Sequence, residues 1–167
     1  MNNLYTASLD MLSKSVVGIL SIFFLVLFYF TTSQFTNFYY LNWVVFLLPF
    51  SILLGGYLYS PYAYEIGAHD LIIHRKIGVV QYSLLSIKEV HVMEYSDLGF
   101  VIRTFGNGGL FGYTGWYYSK KIGKMRWYAR QRKNIVLLTL SNGKKILLTP
   151  DDREAFVEEL RASISHS

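Results

Sequence analysis

A glycine-rich block, FGNGGLFGYTG at residues 105–115, is the stretch whose residue types come closest to phosphate-binding chemistry. Glycine-rich loops bind phosphate when their backbone N–H groups surround the anion and a helix begins directly afterwards. Here Phe111 stands where a dinucleotide motif needs its third glycine, no Lys-Ser or Lys-Thr pair follows, and no helix signal follows. Nucleotide binding is therefore disfavoured. The block is instead interpreted as a structured loop, with three open roles: a recognition loop, a loop that contacts the membrane interface, or a structural insertion.

The next stretch, residues 116–133, combines basic and aromatic side chains and contains no acid. Such a surface can follow a nucleic acid backbone and stack on bases, can contact anionic lipid headgroups, or can be an ordinary solvated surface. Charges cannot be buried unpaired, so we expect Trp116, Lys120, Lys121, Lys124, Arg126 and Trp127 to lie exposed on one side of the domain. The candidate binding residues of the two stretches are Leu110, Phe111, Tyr113, Trp116, Lys120, Lys121, Lys124, Arg126, Trp127 and Arg130.

No pattern typical of catalysis or of a metal site occurs in the sequence. The motifs HExxH and GxSxG are missing, no acids cluster at metal-binding spacing, and the four histidines are scattered. The chain has no cysteine, which excludes disulfides, thiol nucleophiles and cysteine-based metal sites. We therefore predict that the protein is not an enzyme and uses no cofactor and no metal.

Two uncharged apolar runs precede the glycine-rich block and the basic stretch and determine where in the cell these lie. Val16–Thr32 and Leu41–Tyr59 correspond to helices of about 25 and 28 Å, close to the ~30 Å hydrocarbon core of a bilayer. A cleaved signal peptide is the alternative for the first run, but Asp10 interrupts the basic region that precedes such signals and no cleavage site follows. We predict a transmembrane hairpin within residues 1–60, with spans at about 16–32 and 41–59, and a second domain at residues 61–167.

The distribution of basic residues predicts the orientation of the hairpin. The connection Ser33–Tyr40 has no Lys or Arg, whereas Lys14 precedes the first span and Arg75 and Lys76 follow the second. Basic residues near membrane spans favour the cytoplasmic side. We therefore expect a multi-pass protein of the bacterial inner membrane with both termini in the cytoplasm. Anionic lipid is then a far more accessible partner than nucleic acid, which we consider unlikely.

Residues 61–148 form short apolar runs separated by turn residues, as in an antiparallel β-structure. Predicted strands are Tyr62–Ile66, Leu71–His74, Val79–Tyr82, Ile87–Met93 with a bulge at Lys88-Glu89, Phe100–Phe105, Ile135–Leu140 and Lys145–Leu148. Asn142-Gly143 between the last two predicts a type I′ hairpin turn.

One amphipathic helix follows these strands. Thr149 is its expected N-cap and Pro150 its first residue. Phe156, Leu160 and Ile164 form an apolar stripe that should pack in the core.

The run YxIxxxDLIIHRKxG, then SLxSIKEV, the block FGNGGLFGYTGWYY and NIVLLTLSNGKKILLTPDDREAFVEEL resemble the bacterial PH (pleckstrin-homology-like) domain family. The similarity is closest to the branch with a two-helix N-terminal membrane hairpin and an FGxGGLFGYxG insertion. It implies a seven-stranded, roughly orthogonal barrel capped by the C-terminal helix, and it implies little about activity. The first hairpin turn, residues 67–70, has no Lys or Arg, so the inositol phosphate site of eukaryotic PH domains is not carried over.

These observations predict an α+β membrane protein: a transmembrane helical hairpin followed by a PH-like antiparallel β-barrel with a C-terminal helix. The expected function is that of a membrane-anchored binding module for a protein partner or for the anionic membrane surface. The alternative is a structural or regulatory subunit of a larger inner-membrane complex.

Overall fold

The computed structural model describes residues 3–34 and 39–165, which form two long helices, two β-sheets and a C-terminal helix. Residues 35–38 of the predicted Ser33–Tyr40 connection lie outside the described residues. The helices are α1 (Met11–Gln34), α2 (Tyr39–Tyr59) and α3 (Arg153–Ser165). The strands are β1 (Asn3–Thr6), β2 (Pro61–Ile66), β3 (Asp70–Arg75), β4 (Val79–Ser83), β5 (Ile87–Met93), β6 (Val101–Gly108), β7 (Tyr113–Ser119), β8 (Gly123–Ala129), β9 (Ile135–Leu140) and β10 (Lys145–Leu148).

Helices α1 and α2 pack against each other and direct most of their apolar side chains outward. The rings of Phe28 and Phe46 are 5.0 Å apart across this contact, whereas Ile19 and Leu48 are well exposed. One helix in the described residues, Met11–Ser33, is long and apolar enough to cross a membrane, and the apolar part of α2, Trp43–Tyr59, is shorter. Apolar residues on all sides of a helix are typical of a membrane environment.

The strands form a four-stranded sheet in the order β1-β2-β3-β4 and a six-stranded sheet in the order β5-β9-β10-β8-β7-β6. Within residues 3–34 and 39–165, all strand pairs are antiparallel except β10 with β8, which is parallel. The prediction of a wholly antiparallel barrel is therefore wrong at this pair. After β8 the chain crosses to β9, and the β9–β10 hairpin then inserts β10 between β9 and β8. Because β10 reverses the direction of β9, it runs the same way as β8.

Of the ten strands in the described residues, three are not among the predicted seven: β1, β7 and β8. Strand β1 pairs with β2, from Asn3 opposite Ile66 to Thr6 opposite Ala63. Residues 3–6 therefore belong to the sheet and not only to a membrane segment, which differs from the division at residue 60. The four residues of β1, Asn-Leu-Tyr-Thr, are too few to carry a periodic signal, so only the tertiary fold decides their pairing.

The core lies between the two sheets and under α3. Phe156 and Leu160 are fully buried there, as predicted, together with Leu71, Ile73 and Leu138. The predicted bulge is also present, because the pairing of β5 with β9 shifts between Ile87 and Glu89.

Two local predictions about turns and caps are wrong. Asp152, not Thr149, caps α3 by accepting a hydrogen bond from the Ala155 N–H at 3.1 Å. The Thr149 hydroxyl is buried and accepts a hydrogen bond from the Arg130 N–H instead. In the β9–β10 turn only Gly143 has a positive φ, so the turn is not type I′, which needs two such residues.

Candidate binding face

Strands β6, β7 and β8 form an antiparallel meander that contains the glycine-rich block and the basic stretch. Ile102 lies opposite Tyr118, Phe105 opposite Trp116, and Trp116 opposite Arg126. Directly opposed residues share a face of a sheet, and alternate residues of a strand do too. One face of the meander therefore carries a mixed apolar and basic set, here called the β6–β8 face: Ile102, Phe105, Trp116, Tyr118, Lys124 and Arg126.

This face combines exposed apolar side chains with stacked cations. Phe105 is 75% exposed, a high value for so large an apolar side chain. The Nζ atom of Lys124 lies 4.7 Å from the centroid of the Trp116 ring, and Cζ of Arg126 lies 5.1 Å from the same centroid. Cations over aromatic faces are attracted by the ring quadrupole and keep their outer N–H groups free. The face is thus both apolar and positively charged.

The opposite face of the meander is core. Trp127 and Tyr113 are buried, and the rings of Tyr117 and Trp127 stack at 4.2 Å. The prediction that Trp127 lies exposed with the basic residues is wrong, because strand alternation places Trp127 behind the sheet while Arg126 lies in front. Tyr113 is likewise a core residue, and burial raises the pKa of its phenol.

The remaining predicted site residues lie in three other places. Lys120 and Lys121 are exposed in the β7–β8 turn, which begins where β7 ends, three residues and thus about 10 Å beyond Trp116. Lys121 lines a separate hollow with two acids. Leu110 and Phe111 form the β6–β7 turn, where the Phe111 ring lies 5.4 Å from the ring of Tyr57.

Arg130 has a structural role. Its Nη1 donates to the Ala7 carbonyl at 3.0 Å, and burial lowers its pKa below the usual range.

The glycine-rich block is mostly strand, not the structured loop that was predicted. Gly106 and Gly115 lie opposite each other in the β6–β7 ladder, with φ of +113° and +130°. A Cβ at Gly106 would overlap the backbone oxygen of Thr114, and one at Gly115 would overlap that of Phe105. Both positions therefore require glycine, because the two strands approach too closely for any side chain.

A cavity of about 340 Å³ lies between the last turn of α2 and the β6–β8 face. Its walls are formed by Gly55, Gly56, Tyr59, Arg75, Phe105, Gly106, Asn107, Thr114, Gly115, Trp116, Arg126 and Tyr128. Arg75 and Arg126 both line this cavity. The buried Nε atom of each has no hydrogen-bond partner, and neither forms any of the ion pairs found among the described residues.

Sequence reasoning missed Arg75, Tyr59 and Phe105 as members of this site. Arg75 was used only as evidence for orientation, since it follows the second apolar run. No local pattern brings the end of β3 next to the middle of β8. Phe105 could have been found from its position opposite Trp116, which was among the predicted site residues, once β7 was recognised as a strand.

The described residues contain no group of three or more His, Asp or Glu side chains that could hold a metal ion.

Comparison with protein families matches residues 62–164 to the model of the bacterial PH domain. The same chain has no match among curated proteins and none among solved structures.

Proposed function

The chain belongs to the bacterial PH domain family, and from this premise we propose that it is a membrane-anchored binding module whose β6–β8 face contacts the anionic surface of the bacterial inner membrane. The observation that carries the proposal is the position of that face. Its stacked cations and exposed aromatic rings lie directly beside the last turn of an apolar helix.

Anchoring through a two-helix hairpin is supported by how the chain leaves and re-enters the domain. Strand β1 precedes α1, β2 follows α2, and the two strands are paired. If α1 crosses the bilayer, α2 must cross back for this pairing to form. At about 1.5 Å per residue, the 21 residues of α2 span about 31 Å, which is sufficient. Lys14, Arg75 and Lys76 near the helix ends favour the cytoplasm for both termini.

The chemistry of the face suits the interface of such a membrane. Aromatic rings prefer the headgroup region, and each Lys or Arg near an anionic leaflet contributes roughly 1 kcal/mol of attraction. Phe105, Trp116 and Arg126 lie at the end of the face next to α2, whereas the Lys120-Lys121 turn lies at the far end. The contact therefore involves Lys124 and Arg126 more than the two turn lysines. PH-like domains are generally binding modules without catalytic activity, which agrees with this role.

The test uses the full chain in lipid nanodiscs of phosphatidylcholine alone or with added phosphatidylglycerol. We expect phosphatidylglycerol to slow backbone hydrogen exchange in residues 101–129, and added salt to reverse the effect, because surface charges are screened. Lys124→Glu should remove the difference between the two lipids. Lys88→Glu, an exposed lysine on β5, is the matched control and should leave it unchanged. Identical exchange in both lipids would refute the proposal.

A second candidate function is that of a subunit of a membrane complex, whose helices α1 and α2 bind a transmembrane helix of a partner protein. The supporting observation is an apolar groove of about 450 Å³ between α1 and α2, lined by Phe24, Phe46, Pro49, Phe50 and Phe111 among others. Extraction in a mild detergent followed by sizing distinguishes the two functions. A single large assembly favours the subunit, and a lone chain opposes it.

A further inference from the structure

We infer that the cavity between α2 and the β6–β8 face binds one phosphate group, with Arg75 and Arg126 as its donors, and that an anionic phospholipid supplies that phosphate. This inference rests on the proposed function, since it names the ligand of the same surface. It goes further because it replaces diffuse attraction to a charged bilayer by a stoichiometric site for one headgroup.

Two cationic side chains line the cavity without an acidic partner. Arg75 comes from the end of β3 and Arg126 from the middle of β8, yet both line one cavity. Neither takes part in the ion pairs found among the described residues. Charged groups that are partly removed from water are usually paired. An anion that both arginines bind would supply the missing partner.

Both guanidinium groups lie close to aromatic rings. Cζ of Arg75 lies 5.5 Å from the ring centroid of Tyr59, and Cζ of Arg126 lies 5.1 and 5.4 Å from the ring centroids of Trp116 and Tyr128. A cation at this distance is attracted by the ring but is not neutralised by it, so it can still pair with an anion. The planar fork of a guanidinium matches the paired oxygens of a phosphate, which arginine binds with two parallel hydrogen bonds.

The cavity is large enough for a headgroup. A volume of about 340 Å³ lies within the usual range of about 300–1,000 Å³ for small-ligand pockets. Glycines form much of the wall, so the backbone of β6, β7 and α2 can come close to a ligand. A Cβ at Gly55 would meet nothing within 4 Å, so this side of α2 is open.

The position of Gly55 favours a lipid as the source of the phosphate. Gly55 lies four residues before Tyr59, the end of α2, which is about 6 Å along the helix. If α2 spans the bilayer, this is the level at which a hydrocarbon core gives way to headgroups. A phospholipid beside α2 would then place its phosphate in the cavity and its acyl chains along the apolar helix.

The experiment titrates the full chain in detergent with three probes, and native mass spectrometry counts the bound molecules. The probes are dioctanoyl phosphatidylglycerol, dioctanoylglycerol without phosphate, and glycerol 3-phosphate without acyl chains. We expect one tightly bound phosphatidylglycerol and much weaker binding of the other two. Equal affinity for glycerol 3-phosphate would overturn the lipid as source while supporting the phosphate site. Equal affinity for dioctanoylglycerol would overturn the phosphate site.

Variants connect this binding to the cavity. Arg75→Gln and Arg126→Gln should each weaken phosphatidylglycerol binding by roughly tenfold or more, because a charge-assisted hydrogen bond is lost. Gly55→Leu should do the same by filling the opening while both arginines remain. Gly18→Leu is its matched control, since a Cβ at Gly18 in α1 also meets nothing within 4 Å and lies outside the cavity. Wild-type affinity in all three cavity variants would overturn the inference.

Failure of this inference and failure of the proposed function give different results. If phosphatidylglycerol still slows exchange in residues 101–129 but the arginine variants bind it normally, only the stoichiometric site is wrong. If one lipid binds through the two arginines but exchange is the same in both kinds of nanodisc, only the surface contact is wrong. Unchanged thermal melting of each variant confirms that it is folded.

Discussion

Replacing Asp151 by Asn should loosen the N-terminal segment, residues 3–10, from the rest of the domain. The Asp151 carboxylate accepts hydrogen bonds from the Ser8 N–H at 2.9 Å and from the hydroxyls of Thr6 and Ser8 at 2.8 Å each. Its own N–H donates to the Thr6 carbonyl at 2.9 Å. Asp151, which lies two residues before α3, therefore connects β1, and through it α1, to the C-terminal part of the fold.

The magnitude follows from the number and the setting of these bonds. A hydrogen bond to a charged group contributes about 1.5–3 kcal/mol when buried, but Asp151 is only partly buried, so solvent reduces each contribution. Asparagine keeps one carbonyl oxygen as an acceptor and loses the charge. We therefore expect a loss of about 1–2 kcal/mol in the free energy of unfolding, or about 2–8 °C in melting temperature.

The pH dependence provides an independent check. Burial alone would raise the pKa of the Asp151 carboxyl, but the hydrogen bonds from Ser8 and Thr6 and the charge of Arg130 outweigh it, and the pKa is lowered. A carboxyl with a lowered folded-state pKa stabilises the fold above its unfolded pKa of about 3.9, and this contribution is lost as the pH falls through the folded value. The difference between wild type and Asp151→Asn should thus be constant from about pH 7 to 5 and shrink below about pH 4.

Thermal melting of the full chain in detergent, monitored by circular dichroism, measures this difference at each pH. Glu158→Gln removes the same charge from an exposed position on α3 and should change melting little. Limited proteolysis should also cut residues 3–10 faster in Asp151→Asn. Equal melting of Asp151→Asn and wild type at pH 7 would show that the carboxylate does not hold this segment. A difference that persists undiminished at low pH would show that its charge is irrelevant.

Three further predictions concern the core, the glycine-rich hairpin and the orientation. Leu160→Ala should cost about 2–5 kcal/mol in unfolding free energy, because the side chain is fully buried. A melting temperature well below that of the exposed control Glu158→Ala would confirm this cost, and equal melting temperatures would contradict it. Gly106→Ala should cost at least about 1–3 kcal/mol, because its φ is strained for alanine and its Cβ would overlap the backbone oxygen of Thr114. Gly18→Ala should not destabilise the chain, and equal melting of the two variants would contradict this reasoning. If the C-terminus is cytoplasmic, a fused reporter that works only in the cytoplasm should be active. Activity of a fused reporter that works only after export would show the opposite orientation.

The pairing of β1 with β2 also affects how the domain can be studied. A fragment that begins at residue 61 lacks β1 and exposes the edge of β2, together with the carboxylate of Asp151. Unpaired strand edges promote association between chains. Measurements on the binding face are therefore designed for the full chain in detergent or nanodiscs.

Most secondary structure elements could be predicted from the sequence because their signals are local. The uncharged runs indicated α1 and α2, and alternation with turn residues indicated β2 to β6, β9 and β10. The apolar stripe of Phe156 and Leu160 correctly predicted the buried side of α3, because a period of about four residues fixes one face of a helix. The bulge at Lys88-Glu89 was predicted from the break in alternation it causes.

Only the tertiary structure decided which side chains form the candidate site. The composition of residues 116–133 showed basic and aromatic residues but not which of them share a face, and the register of β6 to β8 placed Trp116 and Arg126 in front and Trp127 behind. Arg75 lies on β3 of the four-stranded sheet and Arg126 on β8 of the six-stranded sheet, and only the packing of the two sheets places both at one cavity. Contacts between residues so distant in sequence depend on loop closure and packing of the whole chain, and no local propensity encodes them.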